Sequence, residues 1–373
     1  MKKLVYIILC LEGAVLSFNV AAAAALIPSI AGEFAATQFV VARIVWLYML
    51  PYGLAALLYG PLVRAIDAKK IELACLLFFS LANLAAGLAV SLKVLFWARF
   101  FMGVFGASVI PLALILIARH TPSNQRGRAV GIFFSSTFVA SLLGLFLSGL
   151  IPWRWIFLIP AGLGFLLWPV IYFYLPSFKE DLSGFRLSYF FAFKNKKVLY
   201  IFTYIFFISL FYHGVQQWLA VYFSRSLGFN QLIVSLLVIL TSLSGIIGEA
   251  VGGWCSDSLG RRKTVDLGII LMIFSLFLLL FKLPLAILAF LMVIWGIGWT
   301  FNHAGISTML TDLPAEFLNE SASLNSSVRF ISGGLGAMLA GLLMQRSFVL
   351  GFAALGFCLI GLLVFTRSLI DKN

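Results

Sequence analysis

Long apolar segments separated by short polar loops fill this chain almost from end to end. A membrane-spanning helix needs about 20 predominantly apolar residues. About twelve segments reach that length, and they lie near residues 4–30, 44–63, 71–91, 94–118, 129–151, 154–175, 198–223, 230–252, 264–281, 284–310, 321–345 and 347–368. No barrel-like alternation appears, and in lipid each backbone group needs a partner within its own segment. All the segments are therefore predicted to be helices.

The composition indicates that lipid is the solvent of this chain. Hydrophobic residues make up 62% of the 373 residues and charged residues 10%, whereas a soluble domain carries about 25% charged residues. A soluble fold cannot bury that much apolar surface. We therefore expect an all-α integral membrane protein with about twelve transmembrane helices.

The net charge of +13 is distributed unevenly over the predicted loops. If both termini are cytoplasmic, most basic residues fall in inner segments, and the outer loops hold one each: Arg43, Lys93, Arg154, Arg225, Lys282 and Arg346. This is the positive-inside bias. It predicts a multi-pass protein of the inner cell membrane with both termini cytoplasmic. Attraction to anionic lipid explains the basic excess, so no nucleic-acid partner is expected.

The two halves of the chain echo each other. A glycine, acid, glycine, basic run in the second half has a partial copy 193 positions earlier, and the residues concerned are Gly253, Asp257, Gly260, Arg261, Arg262 and Lys263, then Gly60, Arg64, Lys69 and Lys70. At a shift of 192, Pro122, Gly144 and Gly149 match Pro314, Gly336 and Gly341. Two similar membrane halves are the layout of a secondary transporter. We predict two six-helix bundles related by a parallel repeat, at 1–175 and 198–373. The predicted cytoplasmic linker, 176–197, includes a short surface helix in its aromatic and basic part.

These motifs resemble those of the major facilitator superfamily. The run from Gly253 to Lys263 is similar to the loop motif of that family. In the first-half copy, Arg64 stands where the acid belongs and Asp67 where the second glycine belongs. In span 4, Arg99, Gly103 and Gly106 are similar to the arginine and glycine pattern of the family. In span 5, Gly144 and Gly149 fall where antiporter-type members have a glycine-proline motif, although the proline and one glycine are missing here. The residues 153–157 that follow are typical of drug-efflux relatives. The resemblance implies a central substrate cavity, alternating access, an ion gradient (most often of protons) and function as a monomer.

Ionisable side chains inside predicted spans are the first candidates for transport, because a charge at mid-membrane costs about 2.5–3.5 kcal/mol. Glu12 lies in span 1, where a buried carboxyl becomes neutral readily, and Asn19 shares its helix face. Arg99 in span 4 would tune the protonation of a nearby carboxyl. Arg329 and Asn325 lie on one polar face of span 11. Glu249, near the inner end of span 8, is expected to snorkel or to pair with Arg261 or Arg262.

Polar and aromatic residues of spans 7 and 10 form a second group. His213 is a proton-relay candidate because histidine titrates near neutral pH. The cavity candidates are Gln216, Gln217, Trp218, Asn302 and His303, which together suit amphipathic or cationic organic molecules. A satisfied packing hydrogen bond is the competing explanation for each histidine.

The glycine and charge motif has a different predicted role. Asp257 with Arg261 and Arg262 suits a charge clamp between the inner ends of helices. The clamp would hold one conformation and open in the other, and Gly253, Gly260, Gly60 and Lys70 complete the motif. The altered first-half copy predicts an asymmetric gate.

Three functions remain open on the sequence. The leading interpretation is a proton-coupled exporter of small organic compounds. The alternatives are a proton-coupled symporter that imports a metabolite, and a sensor or scaffold that does not transport. An enzyme is the least favoured class because no metal cluster, no nucleophile with a base and no phosphate-binding glycine loop appears in the sequence. No cofactor or metal is expected.

Overall fold

The computed structural model describes residues 2–121, 126–177, 193–311 and 318–370. Regular structure within these ranges is entirely α-helical, and eleven of the helical segments are long and apolar enough to cross a membrane. The chain divides into two compact units, Met1–Arg186 and Leu187–Asn373. The protein therefore has the all-helical, multi-pass fold predicted from its apolar segments.

The first unit contains the helices that cover predicted spans 1 to 6. In chain order they are α1 Lys2–Ser17, α2 Ala22–Ala25, α3 Ile27–Glu33, α4 Gln38–Val41, α5 Arg43–Ala65, α6 Ala68–Gly87, α7 Leu92–Gly106, α8 Val109–His120, α9 Arg126–Leu147 and α10 Trp153–Tyr174. Spans 1 and 4 are interrupted, at 18–21 and 107–108. Asn19 lies in the first of these breaks, where the chain leaves regular helical geometry inside the membrane segment.

The second unit repeats the arrangement. Its helices are α11 Lys196–Gln216, α12 Leu219–Arg225, α13 Gln231–Ser258, α14 Arg261–Leu278, α15 Leu285–Thr311, α16 Leu318–Met344 and α17 Phe348–Ile370. Span 7 is interrupted at 217–218, between α11 and α12. Helix α14 corresponds to the ninth predicted span. It has a shorter apolar part than the other spans because its first turns carry Arg261, Arg262, Lys263 and Asp266.

Two helix crossings show that the units are built alike. A Cβ atom on Gly144 of α9 would collide with the carbonyl oxygen of Phe18, and one on Gly336 of α16 would collide with that of Leu210. Gly144 and Gly336 are 192 positions apart, and so are Phe18 and Leu210, which is the shift found in the sequence. Small residues let membrane helices approach closely, so the repeated glycines preserve the same crossing in each unit.

A second crossing repeats in the same way. Gly103 of α7 lies against the carbonyl oxygen of Tyr48 in α5, and Gly296 of α15 lies against that of Thr241 in α13. Gly103 and Gly296 are 193 positions apart, and so are Tyr48 and Thr241. The faint echo in the sequence therefore marks positions where two backbones touch.

Some predicted features lie outside the described residues. Most of the predicted linker at 176–197 does so, as do Pro122 and Pro314. The faces of the spans that point away from each unit are apolar, with bulky, largely exposed residues such as Leu58, Val139, Phe173, Trp254 and Val364. Lipid is the solvent that suits these faces.

Candidate functional site

A carboxylate and a histidine meet inside the second unit. Oε1 of Glu249 on α13 lies 2.6 Å from Nδ1 of His303 on α15. The expected pairing of Glu249 with Arg261 or Arg262 was wrong, because those arginines bind acids close to them in sequence. The close packing of α13 on α15, through Gly248 and Gly252, positions the two side chains.

Arg329 of α16 belongs to the same group of charges. Its Nε donates a hydrogen bond to Oδ1 of Asn325, at 2.8 Å, as expected for residues one turn apart on a polar helix face. Its guanidinium carbon lies 5.9 Å from the centre of the Trp299 ring. Glu249 lies close enough to interact electrostatically with Arg329. Glu249, His303 and Arg329, from three different helices, form what we term the charged triad.

Aromatic rings form a wall beside the charged triad. Trp299 stacks on Tyr212 with ring centres 3.9 Å apart and planes within 8°. His213 packs against Trp299 at 5.7 Å, and its Nδ1 lies 3.4 Å from Nε2 of Gln217. His213 also interacts with the charge of Arg329. The structure thus brings together five predicted residues, namely His213, Gln217, His303, Asn325 and Arg329, around Glu249 and Trp299.

Other predicted cavity residues have partners within the unit. The side chain of Gln216 bonds to Thr241 and to the indole of Trp295, both at 2.9 Å. The buried Trp218 donates to the carbonyl oxygen of Ala337. Asn302 is fully buried and accepts a hydrogen bond from the hydroxyl of Tyr204. These contacts account for Gln216, Trp218 and Asn302 as packing groups, so fewer of their polar atoms remain for a ligand.

In the first unit, Glu12 faces a second carboxyl group that sequence reasoning missed. Glu12 on α1 and Glu72 on α6 are both buried, and their carboxyl groups interact directly. Apart from each other, these carboxyls have no hydrogen-bond partner among the described residues. Glu72 is the second residue of the apolar segment that follows Lys69 and Lys70, where sequence alone favours an acid solvated at the membrane edge.

Arg99 lies in the same unit but does not pair with Glu12. Its Nε donates to the carbonyl oxygen of Ile44 at 2.9 Å, and its guanidinium lies over the ring of Tyr48, 4.3 Å from the ring centre. Within the part of the chain that the structure describes, Arg99 forms no ion pair. A carbonyl and aromatic rings therefore hold this buried cation in place of a carboxylate.

An amide pair continues the buried polar contacts toward the break in span 1. Nδ2 of Asn19 donates to Oδ1 of Asn83 at 2.5 Å, and Asn83 donates in turn to the carbonyl oxygen of Phe79. Both asparagines are fully buried. The predicted cavity residue Asn19 thus joins α6 to the interrupted part of span 1.

The second-half loop motif forms a compact set of contacts between α13 and α14. Nη1 of Arg261 lies 3.2 Å from Oδ1 of Asp257 and 3.0 Å from the carbonyl oxygen of Ser256. Nε of Arg262 lies 3.4 Å from Oδ2 of Asp266. Gly260 has φ of +96°, in the left-handed region that favours glycine, while Gly253 has open space where a Cβ would be.

The first-half copy is anchored differently. Asp67, which replaces the second glycine of the motif, accepts a hydrogen bond from the backbone of Lys69 and so caps α6. It also accepts one from the hydroxyl of Ser177, at 2.8 Å. Lys70 is exposed, and Gly60 lies within α5. The two copies therefore use acids at different positions to order the same kind of loop.

A charged contact joins the ends of α3 and α6 to the start of α10. Glu33 at the end of α3 accepts hydrogen bonds from Nη2 of Arg154 and the indole of Trp153, both at 2.5 Å. Arg154 also donates to the carbonyl oxygen of Gly87 at 2.9 Å. Burial alone would raise the pKa of Glu33, but the hydrogen bonds and the charge of Arg154 outweigh it and hold the pKa below its ordinary value.

The lowered pKa of Glu33 gives a pH dependence of stability. Stability from this carboxylate is present above its unfolded pKa, about 4.3, and is lost as the pH falls through the lower folded value. We expect the melting temperature of the wild type to fall on acidification, and Glu33→Gln to have lost this part of the pH dependence. Thermal unfolding followed by tryptophan fluorescence, at several pH values, measures both. Identical pH profiles for the two proteins would contradict the assignment.

These features define a multi-pass helical membrane protein made of two repeated bundles, with ionisable side chains buried in the first and half-buried in the second. A family model described as Major Facilitator Superfamily matches residues 9–341. The chain belongs to that superfamily. In the described ranges, no group of three or more His, Cys, Asp or Glu side chains is arranged to hold a metal ion.

The individual proteins that this chain resembles share low sequence identity with it. Azole resistance protein 1 of Saccharomyces cerevisiae is 31% identical over 185 residues, which are 46% of this chain and only 30% of that protein. A probable sugar efflux transporter of Helicobacter pylori is 23% identical over 342 residues, covering 89% of this chain and 85% of its own. The crystal structure of a POT family transporter in complex with 5-aminolevulinic acid matches with a TM-score of 0.79 at 13% identity, over 99% of this chain and 96% of that one. The last match concerns the fold alone.

Proposed function

We propose that this protein is a proton-coupled secondary transporter that exports small organic or amphipathic compounds by alternating access. The observation that carries the proposal is the charged triad. A charge inside the membrane is costly unless it is paired or has a function. Here a carboxylate, a histidine and an arginine from α13, α15 and α16 are held together beside an aromatic wall.

Proton coupling is supported by the chemistry of the pair at the centre of the triad. Histidine is the side chain whose charge ordinarily changes between about pH 5 and 8. If His303 is protonated, its positive charge balances the negative charge of Glu249. If His303 is neutral, Arg329 is the cation that balances Glu249. Binding one proton therefore redistributes charge among three helices, which is what a coupling step requires. Glu12 is a second proton-coupling candidate, in the first unit.

The aromatic wall supports organic compounds as substrates. Stacked Tyr212 and Trp299 offer flat apolar faces, and His213, Gln217 and Arg329 supply polar groups beside them. Sites for organic ligands commonly combine apolar walls with a few placed polar groups. Export as the direction is supported by the name of the Helicobacter relative, a probable sugar efflux transporter, and by the likeness of residues 153–157 to drug-efflux members.

Import of an anionic metabolite is the second candidate function. Nη2 of Arg329 has no hydrogen-bond partner among the described residues, and arginine is suited to binding a carboxylate. A substrate carboxylate at this atom would favour a symporter of an organic acid. In either direction we propose two six-helix domains at 1–175 and 198–373, joined by a cytoplasmic linker at 176–197. We also propose cytoplasmic termini, a location in the cell membrane and function as a monomer.

Reconstitution into liposomes loaded with a pH-sensitive dye tests the proposal. A pH gradient is imposed, and internal pH is followed while drugs, sugars and organic acids are added one class at a time. We expect protons to move with one class only, opposite to the substrate for export, and to stop moving in Glu249→Gln. A protonophore serves as the control for the gradient.

Two results would contradict the proposal. Proton movement in the same direction as the substrate would replace export by symport. Folded protein that moves no compound under a proton gradient would overturn proton coupling, and a sodium gradient applied to the same liposomes would then test a different coupling ion. Transport by the wild type that stops in Glu249→Gln would exclude a scaffold role, because a scaffold moves no compound.

A further inference from the structure

The most unusual buried group in the described residues is the pair of carboxyls in the first unit. Glu12 is 1% exposed and Glu72 is fully buried. They come from α1 and α6, which are distant in sequence, so their meeting is a property of the fold. Apart from each other, none of their four oxygens has a hydrogen-bond partner among the described residues.

No cation in the described part of the unit neutralises this pair. Arg99 is held by the carbonyl oxygen of Ile44 and the ring of Tyr48, and Lys69 lies over the ring of Tyr172 at 5.7 Å. Lys70 is exposed. Two ionised carboxylates side by side in a dry site repel each other and lose their hydration. The pair must therefore hold at least one proton, shared as a hydrogen bond between the carboxyls.

Among the described residues, the groups recorded around the pair are polar but carry no fixed charge. The thiol of Cys75, one turn after Glu72 on α6, interacts with both carboxyls. Its sulfur lies 3.4 Å from the hydroxyl of Tyr59, which donates to the carbonyl oxygen of Val104. Ser108, at the break between α7 and α8, also reaches Cys75. Cys75, Tyr59 and Ser108 thus surround the pair with a thiol and two hydroxyl groups from α6, α5 and span 4.

We propose that Glu12 and Glu72 form a carboxyl dyad that always retains one proton and that binds and releases a second proton during transport. The dyad alternates between a neutral state with two protons and a singly charged state with one. The exchanged proton comes from water on one side of the membrane and returns to water on the other. This inference rests on the proposed proton-coupled function, and it assigns to Glu72 a role that the sequence did not suggest.

Labelling with dicyclohexylcarbodiimide, an apolar reagent that adds to protonated carboxyl groups, tests the dyad in purified protein without substrate or gradient. Mass spectrometry then locates the label. We expect wild-type protein to be labelled on Glu12 or Glu72 from acidic to alkaline pH, because at least one of the two carboxyls stays protonated. This wild-type measurement needs no variant. In Glu12→Gln and Glu72→Gln the remaining carboxyl accepts a hydrogen bond from the amide. Its labelling should therefore fall about tenfold for each pH unit above its midpoint.

The variants are compared only where size-exclusion chromatography shows a folded, monodisperse protein. Glu33→Gln removes a carboxyl outside the spans and should leave the labelling of the dyad unchanged. Wild-type labelling that falls with rising pH as it does in the single variants, or alkaline labelling that persists in both single variants, would overturn the inference. Because the assay involves no transport, a labelled dyad in a protein without proton-coupled transport would refute the proposed function alone. Coupled transport without the dyad pattern would refute the inference alone.

Discussion

Arg329→Gln is expected to slow coupled transport about 30-fold while the protein remains folded. The substitution removes the cation that interacts with Glu249 and with His213, and it leaves the face of Trp299 without its guanidinium. A hydrogen bond to a charged group contributes about 1.5–3 kcal/mol. The loss of about 2 kcal/mol at the rate-limiting step would slow transport about 30-fold. Initial rates of substrate movement in liposomes, corrected for the amount of inserted protein, measure the effect.

Two further variants make the Arg329 experiment specific. Arg346→Gln removes the same charge from an exposed position after α16 and should transport at the wild-type rate. Arg329→Lys keeps the charge but loses the planar group that bonds to Asn325 and covers Trp299, so an intermediate rate is expected. A wild-type rate in Arg329→Gln would show that Arg329 is only a packing residue. The charged triad would then carry no part of the mechanism.

The fold was largely predictable because lipid imposes strong rules on the chain. Apolar length fixes the spans, and backbone hydrogen bonding requires them to be helical. The repeat was visible at Gly144 and Gly336 because close backbone contact tolerates no larger residue. The breaks at 18–21, 107–108 and 217–218 were not predicted, since local hydropathy does not change where a helix is interrupted.

The site was only partly predictable because its contacts join distant parts of the chain. Arg329 and Asn325 were linked correctly, since helical spacing places them one turn apart. The contact of Glu249 with His303 depends on how α13 crosses α15, and no local rule gives that crossing. Glu72 left a weaker signal. It precedes Leu76, Phe79 and Asn83 at helical spacing, on the face that is buried in the structure, so Asn83 could have drawn attention to it.

Gly144→Ala and Gly336→Ala should each lower the melting temperature of the protein, and by similar amounts. A Cβ atom at either position would overlap a backbone carbonyl oxygen, of Phe18 or of Leu210. Backbone cannot move aside as a flexible side chain can, so two helices must separate. Overpacking of this kind typically costs about 1–3 kcal/mol in the free energy of unfolding. Thermal unfolding in a single detergent, followed by tryptophan fluorescence, gives the two shifts.

The matched controls use glycines whose substitution meets no obstacle. A Cβ atom on Gly162 of α10 or Gly361 of α17 would have no neighbour within 4 Å. Alanine is favoured over glycine in a helix interior by about 1 kcal/mol, so Gly162→Ala and Gly361→Ala should leave the melting temperature unchanged or raise it. Equal shifts at all four positions would mean that helix propensity alone decides the outcome. Opposite signs at crossing and open positions would show that the repeated crossings constrain the fold, because the same chemical change stabilises a free helix and destabilises a packed one.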